Sequence, residues 1–438
     1  MTQRHWRRIL IAGVLLLMAA VVLPYQVGAL VETYLPYWGS AVANRTGLDW
    51  QPEPGERGIW HSRSESRLWL PGQIAPLHLH HEITHGPGWA DGQPFLVRML
   101  TQVSEDSPLR LDSWPERLPL VLTTSVGLDG VVSFTLTPGQ GALLVDVMAH
   151  HAHGEWSGAG LALESERGGV TLDTPWLRID LRAPPTEEAL QGQLGWRAQR
   201  MALKADDMSL LAERVEASLV SASDARGWSV SAQLGAASLR GQGREPEWLG
   251  LGPQTPSGPL TLAVSGEGLD RLGFTELCEW MALVERRHAE EGLGRDILLR
   301  EQGDAGIQAL LRLLDASGRL HIGPIRLALP QGRVEGHLFL SRAKQGMSDQ
   351  PWTLLDARAE LSGERAFFES WLAERFAEQL TDTEQARRAA RAQLAEGLRR
   401  RLLTADEESM YRAEAVLSGG RLNINGRSWP LMSFLPFH

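Results

Sequence analysis

Cysteine is nearly missing from this chain of 438 residues, where Cys278 stands alone. An internal disulfide is therefore excluded, and packing must hold the fold. Lysine is almost as scarce, at Lys204 and Lys344 only, so arginine carries the positive charge. Net charge is −10, or −13 once the three arginines near the N-terminus are set aside. Nucleic acid needs clustered positive surface, so no nucleic-acid partner is expected. Gly-x-x-x-x-Gly-Lys-Ser/Thr and Gly-x-Ser-x-Gly are both absent. Their absence removes a P-loop phosphate cradle and a nucleophile elbow. Apolar residues make up 43 % of the chain, which is the composition of a folded protein with a sizeable core.

One long apolar run is present. Ile9 to Val31 carries no charge, follows Arg4, Arg7 and Arg8, and ends before Glu32. At ~1.5 Å per residue it spans roughly 34 Å, enough to cross a bilayer core. The basic flank stays in the cytoplasm. The run therefore predicts a cytoplasmic N-terminus over 1–8 and a transmembrane anchor over 9–31. The inner membrane is the expected first partner, through Ile9–Val31, with the bulk of the chain in the periplasm. A cleaved signal peptide is the competing reading, with Pro24 breaking the helix and Val27-Gly28-Ala29 as the cleavage site. Both readings export the rest of the chain. A juxtamembrane helix is expected over 32–50, placing Tyr34, Tyr37 and Trp38 near the interface, although Pro36 and Gly39 oppose it.

After Trp50 the pattern takes period two. Leu177, Ile179 and Leu181 alternate with Arg178, Asp180 and Arg182; Trp228, Val230, Ala232 and Leu234 alternate with Ser229, Ser231 and Gln233. Gly168-Gly169 and Asp224-Ala225-Arg226-Gly227 read as turns between antiparallel neighbours. Helical stripes follow at Leu277, Met281 and Val284, and at Ile307, Leu310, Leu311 and Leu314. Strands return at Arg319–Leu329, Arg333–Leu340 and Thr353–Leu361. A second helical stretch carries Phe368, Leu372, Phe376 and Leu380, restarts at a capping box of Thr381 and Glu384, and continues through Leu394, Leu398 and Leu402. The chain ends in a hairpin turning at Gly419-Gly420. The fold class is α+β: an N-terminal transmembrane helix, then a large, mainly antiparallel β-meander with helical segments set apart near 274–316 and 364–403. Residues 51–438 form the periplasmic domain, β-rich over 51–265, helical over 266–316, β over 317–362, helical over 363–404, with a terminal β-hairpin over 405–438.

The order of motifs is also informative. His85-Gly86-Pro87, the segment Ile322-Gly323-Pro324-Ile325-Arg326-Leu327 and the ending Gly420-Arg421-Leu422-Asn423-Ile424-Asn425-Gly426 follow an N-terminal anchor over nearly the whole chain. In this order the chain resembles the YdgA-like proteins, a bacterial envelope family classed as a domain of unknown function. The glycine-rich middle and the abundant tryptophan depart from that pattern. The resemblance implies an inner-membrane-anchored periplasmic protein and carries over no catalytic or binding residue.

Histidine invites a metal reading. His81-Glu82-Ile83-Thr84-His85 matches the His-Glu-x-x-His zinc-protease motif, which works only on a helix. Here the alternation Leu77-His78-Leu79-His80 predicts a strand, where residues four apart sit roughly 13 Å apart and cannot share one ion. His78, His80 and Glu82 project from one strand face, and His150, His151 and His153 form a second cluster in an expected loop ending at Gly154. The adjacent pairs Asp206-Asp207 and Glu187-Glu188 fall in expected loops or strand ends, and because adjacent strand residues face opposite ways they make poor acid/base partners. No residue is singled out as catalytic, cofactor-binding or metal-binding, no cofactor is expected, and an enzyme has no positive support. Arg387, Arg388, Arg391, Arg399, Arg400 and Arg401 form a basic helical stretch, read as a solvated face or as a surface for anionic headgroups.

The expected protein is a non-catalytic periplasmic scaffold or binding protein of the envelope, with a lipid or an envelope protein as its partner. The alternative is a lipid-handling protein in which sheet and late helices enclose an apolar groove. Scattered serine, glutamine and charge on the strands' second face favour a wet scaffold; continuous Val, Leu and Trp favour a groove.

Overall fold

The computed structural model describes residues 49–69, 76–90, 92–165, 168–182, 191–205, 208–224, 227–243, 257–291, 297–298, 301–315, 317–343, 351–377, 382–406 and 410–430, with Gln26, Val27 and Ala29. The anchor over 9–31 and the juxtamembrane helix over 32–50 thus lie, but for a few residues, outside the described set. Among the described residues no helix is long and apolar enough to cross a membrane. The chain divides into two compact units, Met1–Arg182 and Ala183–His438. Most of what is described is antiparallel sheet, and the second unit adds a few helices.

The first unit holds β1 (Asp49–Pro52), β2 (Glu56–Arg57), β3 (His61–Trp69), β4 (Leu77–Ala90), β5 (Gln93–Val103), β6 (Arg110–Ser113) and β7 (Val121–Gly127). It continues with β8 (Val131–Thr137), β9 (Gln140–Asp146), β10 (His151–Ser157), β11 (Gly160–Ser165), β12 (Gly168–Asp173) and β13 (Trp176–Arg182). Pairing runs β3–β4–β5–β7–β8–β9–β10–β13, every step antiparallel. β11 pairs with β6 and β12. The expected loop at His150–Gly154 is instead strand: His151, His153 and Gly154 pair with both β9 and β13.

The second unit opens with β14 (Gln191–Ala205), β15 (Met208–Asp224), β16 (Gly227–Ala236), β17 (Ser238–Gly243) and β18 (Leu260–Leu269). Helices α1 (Arg271–Glu291) and α2 (Gly303–Leu314) follow, then β19 (Arg319–Leu329), β20 (Gly332–Arg342), a 3-10 turn Pro351–Leu354 and β21 (Leu355–Glu364). Next come α3 (Arg365–Ala377), α4 (Thr383–Arg399), β22 (Thr404–Ala405), β23 (Met410–Ser418), β24 (Arg421–Ile424) and β25 (Arg427–Pro430). The sheet runs β14–β15–β16–β18–β19–β20–β21–β23–β24–β25, again antiparallel throughout.

Local chemistry explains most boundaries. Pro330 and Gln331 join β19 to β20 in a two-residue hairpin closed by Leu329 and Gly332. Gly419 and Gly420, with φ of +56° and +75°, turn β23 into β24. A type I′ hairpin needs that left-handed pair. Asn425-Gly426 repeats the device and adds β25, so the expected terminal hairpin is three-stranded. Asp382, not Thr381, caps α4: its carboxylate accepts from the Glu384 backbone N–H at 2.9 Å, and Thr381 lies outside the described residues. Thr353 falls in the 3-10 turn rather than at the start of β21. Met281, expected on a buried stripe, is exposed, whereas Val284 is buried.

β19 also carries a bulge. Between Ile322 and Ile325 it uses three residues where β18 and β20 use two. Ile322 and Ile325 therefore share a face, which strict alternation would deny them. His85-Gly86-Pro87-Gly88 gives β4 the same three-for-two step against β5.

Candidate functional site

Two histidines of the first unit, His81 and His85, are buried in its core. β4 places Leu77, His81, Ile83 and His85 on its buried face. His81 Nε2 lies 2.8 Å from Ser66 Oγ and its Nδ1 2.9 Å from Thr101 Oγ1. Burial, with the neighbouring His80 charge, lowers its pKa from 6.5 to about 4. The imidazole is thus neutral and closed in by hydroxyls. His85 Nδ1 donates to the Ile59 carbonyl at 3.2 Å, and its buried Nε2 has no partner. The His-Glu-x-x-His motif therefore sits on a strand, where its geometry is useless for zinc.

His80, on the opposite face, lies 3.8 Å from Glu65 and 3.9 Å from Glu82. His151 bonds Asp180 at 2.8 Å and stacks on His153. Among the described residues no three His, Cys, Asp or Glu side chains gather as a metal site. Asp206-Asp207 and Glu187-Glu188 lie outside the described residues.

The second unit offers something different. Its sheet has one apolar face, which cross-strand register lets us read rung by rung. One rung joins Ala236, Leu260, Leu327, Val334, Gly363 and Tyr411, with Val215 in the same core cluster as Ala236. Phe367 of α3 packs on it, and α4 packs on α3 through Leu394 and Leu398. Three rungs along the strands, Val230, Leu320 and Leu340 lie under Leu313 and Leu314 of α2 and Leu277 of α1. The two helix pairs thus cover the same face at its two ends.

Between them lie two uncovered rungs. One runs Ala217, Leu234, Leu262, Ile325, Gly336, Leu361 and Ala413; the other runs Leu219, Ala232, Val264, Ile322, Leu338, Ala359 and Ala415. Leu219, Leu234, Ile325 and Leu361 are 37–40 % exposed, far above their neighbours under the helices. Across these seven strands neither rung contains a side chain able to hydrogen-bond; beyond them β14 adds Leu194 opposite Leu219 and Trp196 opposite Ala217. The result is an apolar trough, floored by seven strands and walled by α2 and α3. At ~4.8 Å per strand it is about 29 Å long, and its two rungs stand about 7 Å apart.

Residues 253–432 match the family model described as a bacterial protein of unknown function (DUF945). The match covers less than half of the chain, but it takes in β18 to β25, α1 to α4 and so most of the trough. It includes Ile322–Leu327 and Gly420–Gly426 of the resemblance, and not His85-Gly86-Pro87. No curated protein and no solved structure matches the chain.

The sheet's other face is mainly polar, although Val220 and Phe339 are exposed on it. Glu335 accepts from Arg326 Nε at 3.0 Å and lies 3.2 Å from His337 Nε2. His337 Nδ1 is 3.1 Å from His321 Nε2, and His321 stacks on Phe339. The Arg326 guanidinium, more than the histidine, holds the Glu335 carboxyl below its ordinary pKa. Beside this network is an open concavity of about 460 Å³, lined by Glu267, Arg319, Ser341, Asp356 and Arg358 among others. Arg358 is held by Glu360 and Glu414, and Asp356 by Ser418. The two Arg358 contacts are ion pairs on a solvated surface, and such pairs contribute little.

The strands' second face, where a groove would need continuous Val, Leu and Trp, carries Ser229, Ser231 and Gln233. The open apolar surface lies on the core face instead, where two helix pairs leave the middle uncovered. The only signal for it was an apolar face longer than the helices that follow.

Proposed function

We propose that this is a non-catalytic, inner-membrane-anchored protein of the bacterial envelope that holds a hydrocarbon chain in the trough of its second unit. The observation that carries the reading is the pair of uncovered apolar rungs. An exposed apolar strip of this length, rimmed by structure, marks a binding site rather than ordinary surface. The lining chooses the occupant. A peptide strand laid there would bury backbone N–H and C=O groups against side chains that offer no partner, at a cost of several kcal/mol. A helix with side chains needs 10–12 Å, more than two rungs provide. An acyl chain needs neither partners nor width, and half a bilayer core is about 15 Å, well within the trough. The apolar run Ile9–Val31 and its arginine flank support a location at the membrane, where such chains are found.

Mass spectrometry of lipids that co-purify with the full chain tests the reading. Acyl lipid is expected at near-stoichiometric ratio, and its reproducible absence sinks the proposal.

A further inference from the structure

One end of the trough has a charge of its own. Ala415, the last residue of one open rung on β23, pairs with Ile424 of β24, and Ile424 pairs with Arg427 of β25. Directly paired residues share a face. Arg427 therefore stands on the apolar face, in line with the trough floor. Its Nη1 donates to the Arg400 carbonyl at 3.1 Å, so the C-terminus of α4 meets it there. That helix end carries Arg399, Arg400 and Arg401 in sequence. Glu396 pairs with Arg399 and with Arg400. Arg412, on the opposite face, pairs with Asp406 at 3.0 Å, and Glu414 is taken by Arg358. Among the described residues, Arg401 and Arg427 have no carboxylate partner. A guanidinium has five donors, and the one bond to Arg400 leaves most of those on Arg427 unspent.

Resting on the acyl-chain reading above, the geometry points to an anionic head group, carboxylate or phosphate, bound by Arg427 and Arg401 at the β25 end of the trough. The ligand class is then an anionic amphiphile with its chain along the rungs. A chain lying on Ile322, Leu338 and Ala359 brings its polar end to Arg427, because the floor offers no other charged group along that rung. Cationic and neutral amphiphiles lack the group these guanidiniums fit. Arginine suits both carboxylate and phosphate, because its planar fork matches two oxygens at once.

Equilibrium dialysis of the full chain against labelled hexadecanoate, hexadecyl phosphate and hexadecanol reads the two claims separately. The two anions are expected to bind about tenfold or more tighter than the alcohol, the effect of a charge-assisted hydrogen bond. The double variant Arg401→Gln, Arg427→Gln is expected to lose that advantage while binding hexadecanol as before. Equal binding of all three by the unaltered chain overturns the head-group assignment and leaves the acyl-chain reading standing. No binding of any overturns both. Should the double variant fail to fold, salt decides on the unaltered chain. Raising ionic strength is expected to weaken the anions and not the alcohol, and equal response overturns the assignment.

Discussion

Charging a buried imidazole means stripping it of water, and His81 is placed where that cost is high. Its folded pKa of about 4 lies below the ordinary 6.5. Between those values the unfolded chain binds a proton that the folded chain does not. Stability is therefore full above pH 6.5 and declines as pH falls toward 4, by about 3 kcal/mol if His81 alone titrates. Urea unfolding at pH 7 and pH 5 measures the slope, and His81→Gln is expected to flatten it. A second residue tests the trough. A Cβ added to Gly336, in the floor, meets only the Glu360 carbonyl at 3.6 Å and Leu361 Cδ1 at 3.8 Å. Gly336→Leu is thus expected to fold normally and fill the trough. Co-purified lipid should drop severalfold with the melting temperature little changed.

At the scale of elements, the helices stand on few contacts. Leu314 of α2 is fully buried against Leu269 and Leu313. Leu314→Ala is expected to cost 2–5 kcal/mol by chemical denaturation, the range for leucine cavities. The stripe at Leu310, Leu311 and Leu314 was legible because apolar spacing of three and four survives without knowledge of the partner. Strand positions were legible for the same reason at Leu177–Leu181 and Trp228–Leu234. Met281 misled because its spacing fits the stripe, while α2 reaches only the side of α1 that carries Leu277. His150–Gly154 misled because glycine reads as a breaker, and here Gly154 sits at φ +140° inside a paired strand. Thr381-x-x-Glu384 pointed to the right place with the wrong residue, since Asp382 is as good an N-cap as threonine or better.

For the whole molecule, period two over 51–265 made the antiparallel sheet readable, and the late helical stripes made the helices readable. The division at Arg182 was not readable, because antiparallel strands lie on both sides of it without a change of pattern. The trough was hidden for a related reason. Which part of an apolar face goes uncovered depends on where helices land, and that is a tertiary outcome. Location is the remaining question at this scale. If Ile9–Val31 is a retained anchor, carbonate-washed membranes keep the full-length chain with its N-terminus intact by mass. Release of a shortened chain into the wash would point to cleavage after Ala29 instead.

The Gly-Pro steps in β4 and β19 act as frame shifts written into the backbone. Upstream of Gly323 the apolar residues of β19 keep one parity of numbering, and downstream of Pro324 they keep the other. A chain that lost a single residue here would reach plain alternation with no bulge, and Ile322, Ile325, Leu327 and Leu329 would all stay on the apolar face. Loss of two residues would leave one step against two and, under strict alternation, would send Leu327 and Leu329 to water and Arg326 into the core. Deletions in this strand therefore act by parity, and in the chain as it stands the continuity of the apolar floor depends on one irregular step.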